Sequence, residues 1–211
     1  VKEGVIGGEI CYLITPKDFG VEWTRENLHL RSIIIDKNGE IRSHGLKKFF
    51  NVTEKPELYP DPNDYQDWVL EDKVDGSCAI CDWIFGSFNA RTRGTFSYKT
   101  LENFADFDYV FAKYPNIEVV CRANPDDTLL FEITSPNQRI VLDYGDKPDV
   151  KFLGFIHKPT GLYRPAYSET GEFYRAQIGC PAPEIYKLTG SLLEIADQIK
   201  AWEGKEIGRA S

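Results

Sequence analysis

A lysine amine at its free pKa is a poor nucleophile, so a lysine used for covalent chemistry needs a rigid mount and a surrounding cleft. The run Glu71-Asp72-Lys73-Val74-Asp75-Gly76-Ser77 has the composition for this. Lys73 ends a β-type run, and Asp75-Gly76 follows one residue later as a tight turn. A glycine at that place lets the backbone come close to a bound nucleotide. Burial or neighbouring cations would lower the lysine pKa and expose its lone pair to an electrophilic phosphorus. Standing alone, Lys-x-Asp-Gly carries little weight: chance produces it in roughly one chain of this length in twenty-five. For the bare motif a solvated β-turn is the better account, so its meaning depends on what accompanies it.

Two other patterns could be mistaken for chemistry. Cys78-Ala79-Ile80-Cys81 has zinc-like spacing, yet no second Cys or His pair completes it. On an apolar strand, residues three apart face opposite sides, so buried free thiols are the expectation. His29, His44 and His157 are dispersed and form neither a ligand set nor a triad.

The elements that would position Lys73 are short and β-rich. Residues 31 to 36 and 41 to 43 flank Lys37-Asn38-Gly39-Glu40, a strong hairpin signal in which both Asn38 and Gly39 should take positive φ. Residues 51 to 67, rich in Pro, Asp, Asn and Tyr, read as an exposed connection. Val69 to Lys73 reads as a short strand, Cys78 to Phe85 as an apolar strand, and Phe88 to Phe96 as its antiparallel partner. Leu101 to Tyr114 has helical spacing and stops at Pro115. Leu129 to Ile133 and Arg139 to Leu142 are β-type runs joined through Ser135-Pro136-Asn137, and Lys151 to His157 is a further strand. Leu192 to Trp202 is helical, with Thr189 and Ser191 as candidate N-caps. Short strands paired by turns, with a few inserted helices, predict an α+β fold of mainly antiparallel sheets.

Composition bounds the class. Of the 211 residues, 42% are hydrophobic and 27% charged, a globular balance. No apolar stretch approaches membrane-spanning length. Val1-Lys2-Glu3-Gly4 does not open a secretory signal, and five irregularly spaced cysteines fit a reducing compartment, so a cytoplasmic location is expected. A net charge of −8 argues against a generic nucleic-acid coat. Positive charge is nevertheless local. Residues 29 to 48 hold Arg31, Lys37, Arg42, Lys47 and Lys48 against Asp36 and Glu40, while residues 86 to 99 hold Arg91, Arg93 and Lys99 with no acid. That pattern suits a confined phosphate site on an acidic body.

Lys73 has the company it needs. Gly45-Leu46-Lys47-Lys48-Phe49-Phe50-Asn51 precedes it, and Thr92-Arg93-Gly94-Thr95-Phe96 follows. Next come Leu130-Phe131-Glu132-Ile133-Thr134-Ser135-Pro136-Asn137-Gln138-Arg139-Ile140-Val141, then Lys151-Phe152-Leu153-Gly154-Phe155 and Thr160-Gly161. In this order, these elements resemble those of the phage-type ATP-dependent RNA ligases, the group of the first RNA ligase of phage T4, within the covalent nucleotidyltransferase superfamily. The resemblance covers nearly the whole chain.

It implies a nucleotidyltransferase (adenylylation) domain spanning residues 1 to 211, with helices flanking antiparallel sheets around an ATP cleft. Lys73 would attack the α-phosphorus of ATP, expel pyrophosphate and carry AMP as a lysyl phosphoramidate. Glu132 would bind the ribose hydroxyls, with Phe131 beside it in the cleft wall. Lys48 and Arg93 would neutralise ATP phosphates. Arg31 matches the family's Arg-Gly pair near the ribose, although Ser32 stands where the family has glycine. Asp72 and Gly76 would also lie against the nucleotide. Mg²⁺ is implied to offset phosphate charge, with ligands that the sequence leaves unassigned. The partners implied are RNA 5′-phosphate and 3′-hydroxyl ends.

The family continues to a Glu-Gly element and a Lys-x-Lys pair. Trp202-Glu203-Gly204-Lys205-Glu206-Ile207-Gly208 resembles the approach to the former, with either Glu203 or Glu206 as its carboxylate, and no Lys-x-Lys pair follows. The expectation is thus a domain incomplete at its C-terminus. A DNA ligase, a GTP-using capping enzyme and a non-catalytic nucleotide- or RNA-binding fragment are the alternatives.

Overall fold

In chain order the protein forms β1 (Lys2–Ile6), β2 (Glu9–Ile14), β3 (Ile33–Asp36), β4 (Ile41–His44), β5 (Asp67–Glu71), β6 (Ser77–Ile84) and β7 (Ser87–Arg91). Then follow α1 (Phe104–Lys113), α2 (Asn116–Ala123), β8 (Asp127–Thr134), β9 (Asp149–His157), β10 (Leu162–Pro165), α3 (Glu169–Ile178), β11 (Ile185–Thr189) and α4 (Leu192–Trp202). This is a computed structural model that describes residues 1–16, 20–51, 54–138 and 144–202. The expected strand at Arg139 to Leu142 and the Glu203 and Glu206 candidates lie outside the described residues. No described helix is long and apolar enough to cross a membrane.

The chain forms two compact units. The larger, Val1–Lys48 with Asp75–Ala182, holds a four-stranded sheet in the order β1-β2-β3-β4 and a five-stranded sheet in the order β10-β9-β8-β6-β7. Every pairing in both sheets is antiparallel. The smaller, Phe49–Val74 with Pro183–Ser211, is built on the β11–β5 pair. The α+β architecture with antiparallel sheets is as the sequence predicts.

Period-two alternation decides what each face of the five-stranded sheet does. Leu129, Phe131 and Ile133 of β8 join Ala79 and Cys81 of β6 in a core with Phe107 and Val110 of α1 and Ile117, Val120 and Cys121 of α2. Fully burying each such large side chain contributes about 1.5–3 kcal/mol. The other face carries Ile80, Leu130 and Ile156, with Leu46 and Cys78 against them. Cys78 and Cys81 thus sit on opposite faces, and among the described residues no group of three His, Cys, Asp or Glu is arranged to hold a metal. A third cluster joins Ile6, Cys11, Leu13 and Ile34 of the four-stranded sheet to Ile84 at the end of β6.

Several local expectations are corrected. Among the described residues only Lys55 and Phe85 are non-glycine residues with positive φ, so Asn38 does not adopt it. The Asp36 carbonyl accepts from Gly39 N, Asp36 N donates back to the Glu40 carbonyl, and Gly39 alone is left-handed at φ +84°. This is a three-residue loop with a bulge, held by the Asp36 carboxylate, which accepts from Asn38 N and Glu40 N. The two-residue turn with both φ positive occurs instead at Phe85-Gly86, between β6 and β7. Here Ile84 pairs with Ser87, and the Arg42 guanidinium lies 5.2 Å over the Phe85 ring. Strand β7 ends at Arg91 rather than Phe96, because Thr92 N turns to Thr95 Oγ1. Arg31 closes a 3-10 turn, Leu28–Arg31, and is not part of a strand. Pro115 ends α1 only to serve as the N-cap of α2. For α4, Ser191 is the cap: Ser191 N donates to the Glu194 carboxylate and Glu194 N to Ser191 Oγ, a capping box.

Candidate functional site

The larger unit gathers the cationic and acidic candidates through strand register. Glu132 on β8 is the cross-strand partner of Cys78 on β6 and of Lys151 on β9, so these three share a face of the sheet. Burial, and next the Glu132 carboxylate, push the Cys78 thiol up to about 12; Arg31 and Arg91 oppose this from the same neighbourhood. Arg31 is half-buried, and its guanidinium is depressed first by burial and next by the like charge of Arg93. Arg31, Arg93, Cys78 and Glu132 therefore share one electrostatic environment, although they come from four separate stretches of chain.

Backbone hydrogen bonds hold the Lys48 segment to the same place. Lys48 N donates to the Leu28 carbonyl at 2.8 Å, and Gly45 N donates to the Ser32 carbonyl at 2.5 Å. These two bonds run residues 45 to 48 alongside the 3-10 turn that ends on Arg31. Lys48 is half-buried and Arg93 is exposed.

Gly76 is required by space. A Cβ there would lie 2.3 Å from the Ile133 carbonyl oxygen and 3.4 Å from Glu132 Cγ. The sequence reading gave this glycine a close approach to a nucleotide; the approach found here is to the protein's own β8 backbone. Immediately before it, Asp75 N donates to the Tyr144 hydroxyl at 3.0 Å.

Phe131 does not share the Glu132 face. It is 0% exposed, with its ring 5.2 Å from that of Phe152, in the core beneath the helices. Neighbouring positions of a strand point to opposite sides, so Phe131 supports β8 from below rather than lining an open wall beside Glu132.

In the smaller unit, Glu71 is the last residue of β5 and pairs with Ile185 of β11. Asp72 N donates to the Glu184 carbonyl at 3.0 Å, extending the ladder by one residue. Lys73 comes next, two residues past the strand end expected to include it, with an exposed side chain; Val74 is buried. Glu71 is half-buried, and burial, followed by the neighbouring Asp72 charge, raises its carboxyl from 4.5 to about 6.

Sequence reasoning missed three residues of this region: Lys151 as the cross-strand neighbour of Glu132, Glu71 as a perturbed carboxyl, and Arg91 as a buried cation. The first was legible only through register, which a single sequence does not display. The charge run grouped Arg91 with Arg93 and Lys99 as part of a phosphate-site pattern, yet Arg91 is 0% exposed.

No family model and no curated protein matches the chain. Among solved structures it is similar to a protein designated an ATP-dependent DNA ligase from Aquifex aeolicus, with a TM-score of 0.58 and 16% identity over 97% of this chain and 53% of that one. It is also similar to two forms of an archaeal ATP-dependent RNA ligase. Both give a TM-score of 0.59, with 16% identity over 92% of this chain in one form and 18% over 93% in the other, and 50% of the ligase is covered in each. At these identities the likeness is one of fold, and the chain spans about half the length of the structures it matches.

Proposed function

We propose that this chain is the nucleotidyltransferase part of an ATP-dependent RNA ligase, with Lys73 as the residue that becomes adenylylated. The observation that carries the reading is the grouping of Arg31, Arg93 and Glu132 in one environment, with Gly76 against Glu132 and only Val74 and Asp75 between Gly76 and Lys73. A fold shared with proteins designated ATP-dependent ligases supports it, as does the ordered run of motifs around Lys73.

In this mechanism the Lys73 amine attacks the α-phosphorus of ATP and gives up its proton to solvent. The P–N bond forms, the bond between the α-phosphorus and the bridging oxygen breaks, and pyrophosphate leaves. Lys48 and Arg93 offset phosphate charge, most strongly as it shifts toward the leaving group. Glu132 accepts hydrogen bonds from the ribose hydroxyls, and Arg31 lies beside that site. AMP then passes to an RNA 5′-phosphate, and a 3′-hydroxyl displaces it. Mg²⁺ would be held mainly by the triphosphate itself, with at most one or two carboxylates of the chain. When bound, it supplies further neutralisation of the triphosphate.

The test is the intact mass of the protein after incubation with ATP and Mg²⁺. A gain of one AMP in the wild type, lost in Lys73→Ala, supports the reading; an unmodified wild type removes it. The likeness to the Aquifex protein favours a second reading, DNA joining. Presenting nicked DNA and single-stranded RNA ends to the adenylylated chain separates the two by which strand becomes longer.

A further inference from the structure

Arg91 is fully buried in the larger unit, 0% exposed, and all five of its N–H groups are used. Nε donates to Ser43 Oγ at 3.1 Å and Nη2 to the same oxygen at 2.8 Å. The second Nη2 proton reaches the Ser32 carbonyl at 3.3 Å. Nη1 donates to Ser32 Oγ at 2.7 Å and to the Thr92 carbonyl at 3.3 Å. A hydroxyl has a single proton to give, and here both destinations are defined. Ser43 Oγ donates to Asp82 Oδ2 at 2.5 Å, and Asp82 also accepts from Thr128 Oγ1 and lies 3.3 Å from Lys158 Nζ. Ser32 Oγ donates to the Arg93 carbonyl at 2.8 Å.

The network therefore has two arms leaving one guanidinium. The Ser43 arm ends on buried Asp82 and neutralises Arg91, which burial lowers to about 10 while Asp82 opposes the shift, so the group stays cationic at neutral pH. The Ser32 arm ends on the backbone of Arg93, and Ser32 itself follows Arg31 in the chain. Ser32 is also the position where this sequence departs from the family's Arg-Gly pair. Room for it comes from Gly45, where a Cβ would stand 2.7 Å from Ser32 Cβ and 2.9 Å from its carbonyl oxygen.

We propose that Ser32 is a positioning residue: gripped by buried Arg91, it sets Arg93 for the phosphate chain of a nucleoside triphosphate. The inference rests on the nucleotide-binding part of the function proposed above. It assigns the Ser43 arm to stability and the Ser32 arm to ligand geometry, and the two are separable.

Calorimetric titration of the full chain with ATP and with adenosine, each with Mg²⁺ present, tests this. Ser32→Ala is expected to weaken ATP about tenfold, as for loss of a charge-assisted contact, and to leave adenosine within about twofold. Ser43→Ala, which loosens the same guanidinium without touching Arg93, should lower the unfolding midpoint while leaving the ratio of ATP to adenosine affinity unchanged. Arg93→Ala combined with Ser32→Ala should lose less than the product of the single losses, since the serine acts through that arginine. Equal losses for ATP and adenosine, multiplicative losses in the double variant, or identical behaviour of the two serine variants overturn the proposal. A wild-type chain that binds no ATP removes the nucleotidyltransferase reading and this inference with it. ATP binding that is sensitive to Arg93→Ala but indifferent to Ser32→Ala removes the inference alone.

Discussion

Glu71 gives the sharpest quantitative test, because its ionisation is coupled to the short sheet that leads into Lys73. Moving a carboxyl from its ordinary 4.5 to about 6 corresponds to about 2 kcal/mol of penalty on the charged form. Residual solvent access trims this to about 1 kcal/mol. The folded-state pKa is raised, so between pH 4.5 and 6 the folded protein holds more proton than the unfolded chain, and stability falls as pH rises. Above pH 6 the loss is complete and flat. Glu71→Gln keeps the shape, carries no charge, and should recover the loss at neutral pH while removing the slope in that window. Asp36, Asp108 and Asp149 are all depressed, and their contributions vanish only below about pH 4; His44, depressed from 6.5 by burial, adds an opposite slope below that value, but it lies in the larger unit and is kept apart by a local readout. The assay is urea unfolding at half-unit pH steps, paired with amide exchange read locally on β5 and β11, where Asp72 N and Gly190 N are bonded to Glu184 and Gln66 carbonyls. A wild type whose local stability is level from pH 4.5 to 7, or a Glu71→Gln variant with the same slope, would falsify the burial argument.

Other outcomes follow from the same geometry. Gly76→Ala must displace the Ile133 carbonyl and should cost about 3 kcal/mol in chemical denaturation, within the range for overpacked sites. Phe131→Ala should cost about 3–5 kcal/mol as a core truncation, whereas Glu132→Ala should change stability by no more than about 0.5 kcal/mol and act on ATP affinity in calorimetry. Ser191→Ala should destabilise α4 by about 1 kcal/mol, seen as faster amide exchange in its first turn, through loss of the reciprocal cap with Glu194.

Hydrophobic periodicity made the central strands legible. The apolar runs that became β6, β8 and β9 were bounded to within two residues, as was α4, because each buries at least one face. Helix α3 was missed although its punctuation is present: Ser168 accepts from Gly171 N at the start, and Gly179 is left-handed at the end. Its polar interior, Glu169 to Gln177, lacks the apolar stripe that would have drawn attention to those caps. The β1–β2 hairpin was missed for a related reason, since Val5 and Ile10 leave one face exposed and apolar. The Asn38-Gly39 signal located a real hairpin and misjudged its turn. Phe85, by contrast, tolerates a left-handed φ that composition alone would disfavour, being held between β strands and covered by Arg42. Around the site, residue types announced Lys73, Glu132 and Arg93, but register and burial separated Glu132 from Phe131 and Arg93 from Arg91. Those distinctions are tertiary.

The pairing of β5 with β11 joins residues up to 122 positions apart. Closing so long a stretch is entropically unrewarded until what lies between has acquired structure of its own. On the ribosome, where synthesis proceeds at about 5–20 residues per second, β5 is made well before β11, its sheet partner among the described residues. The lysine thus gains its mount only once β11 has been made, and a nascent polypeptide halted before residue 185 would carry Lys73 beyond a β5 that lacks its β11 partner.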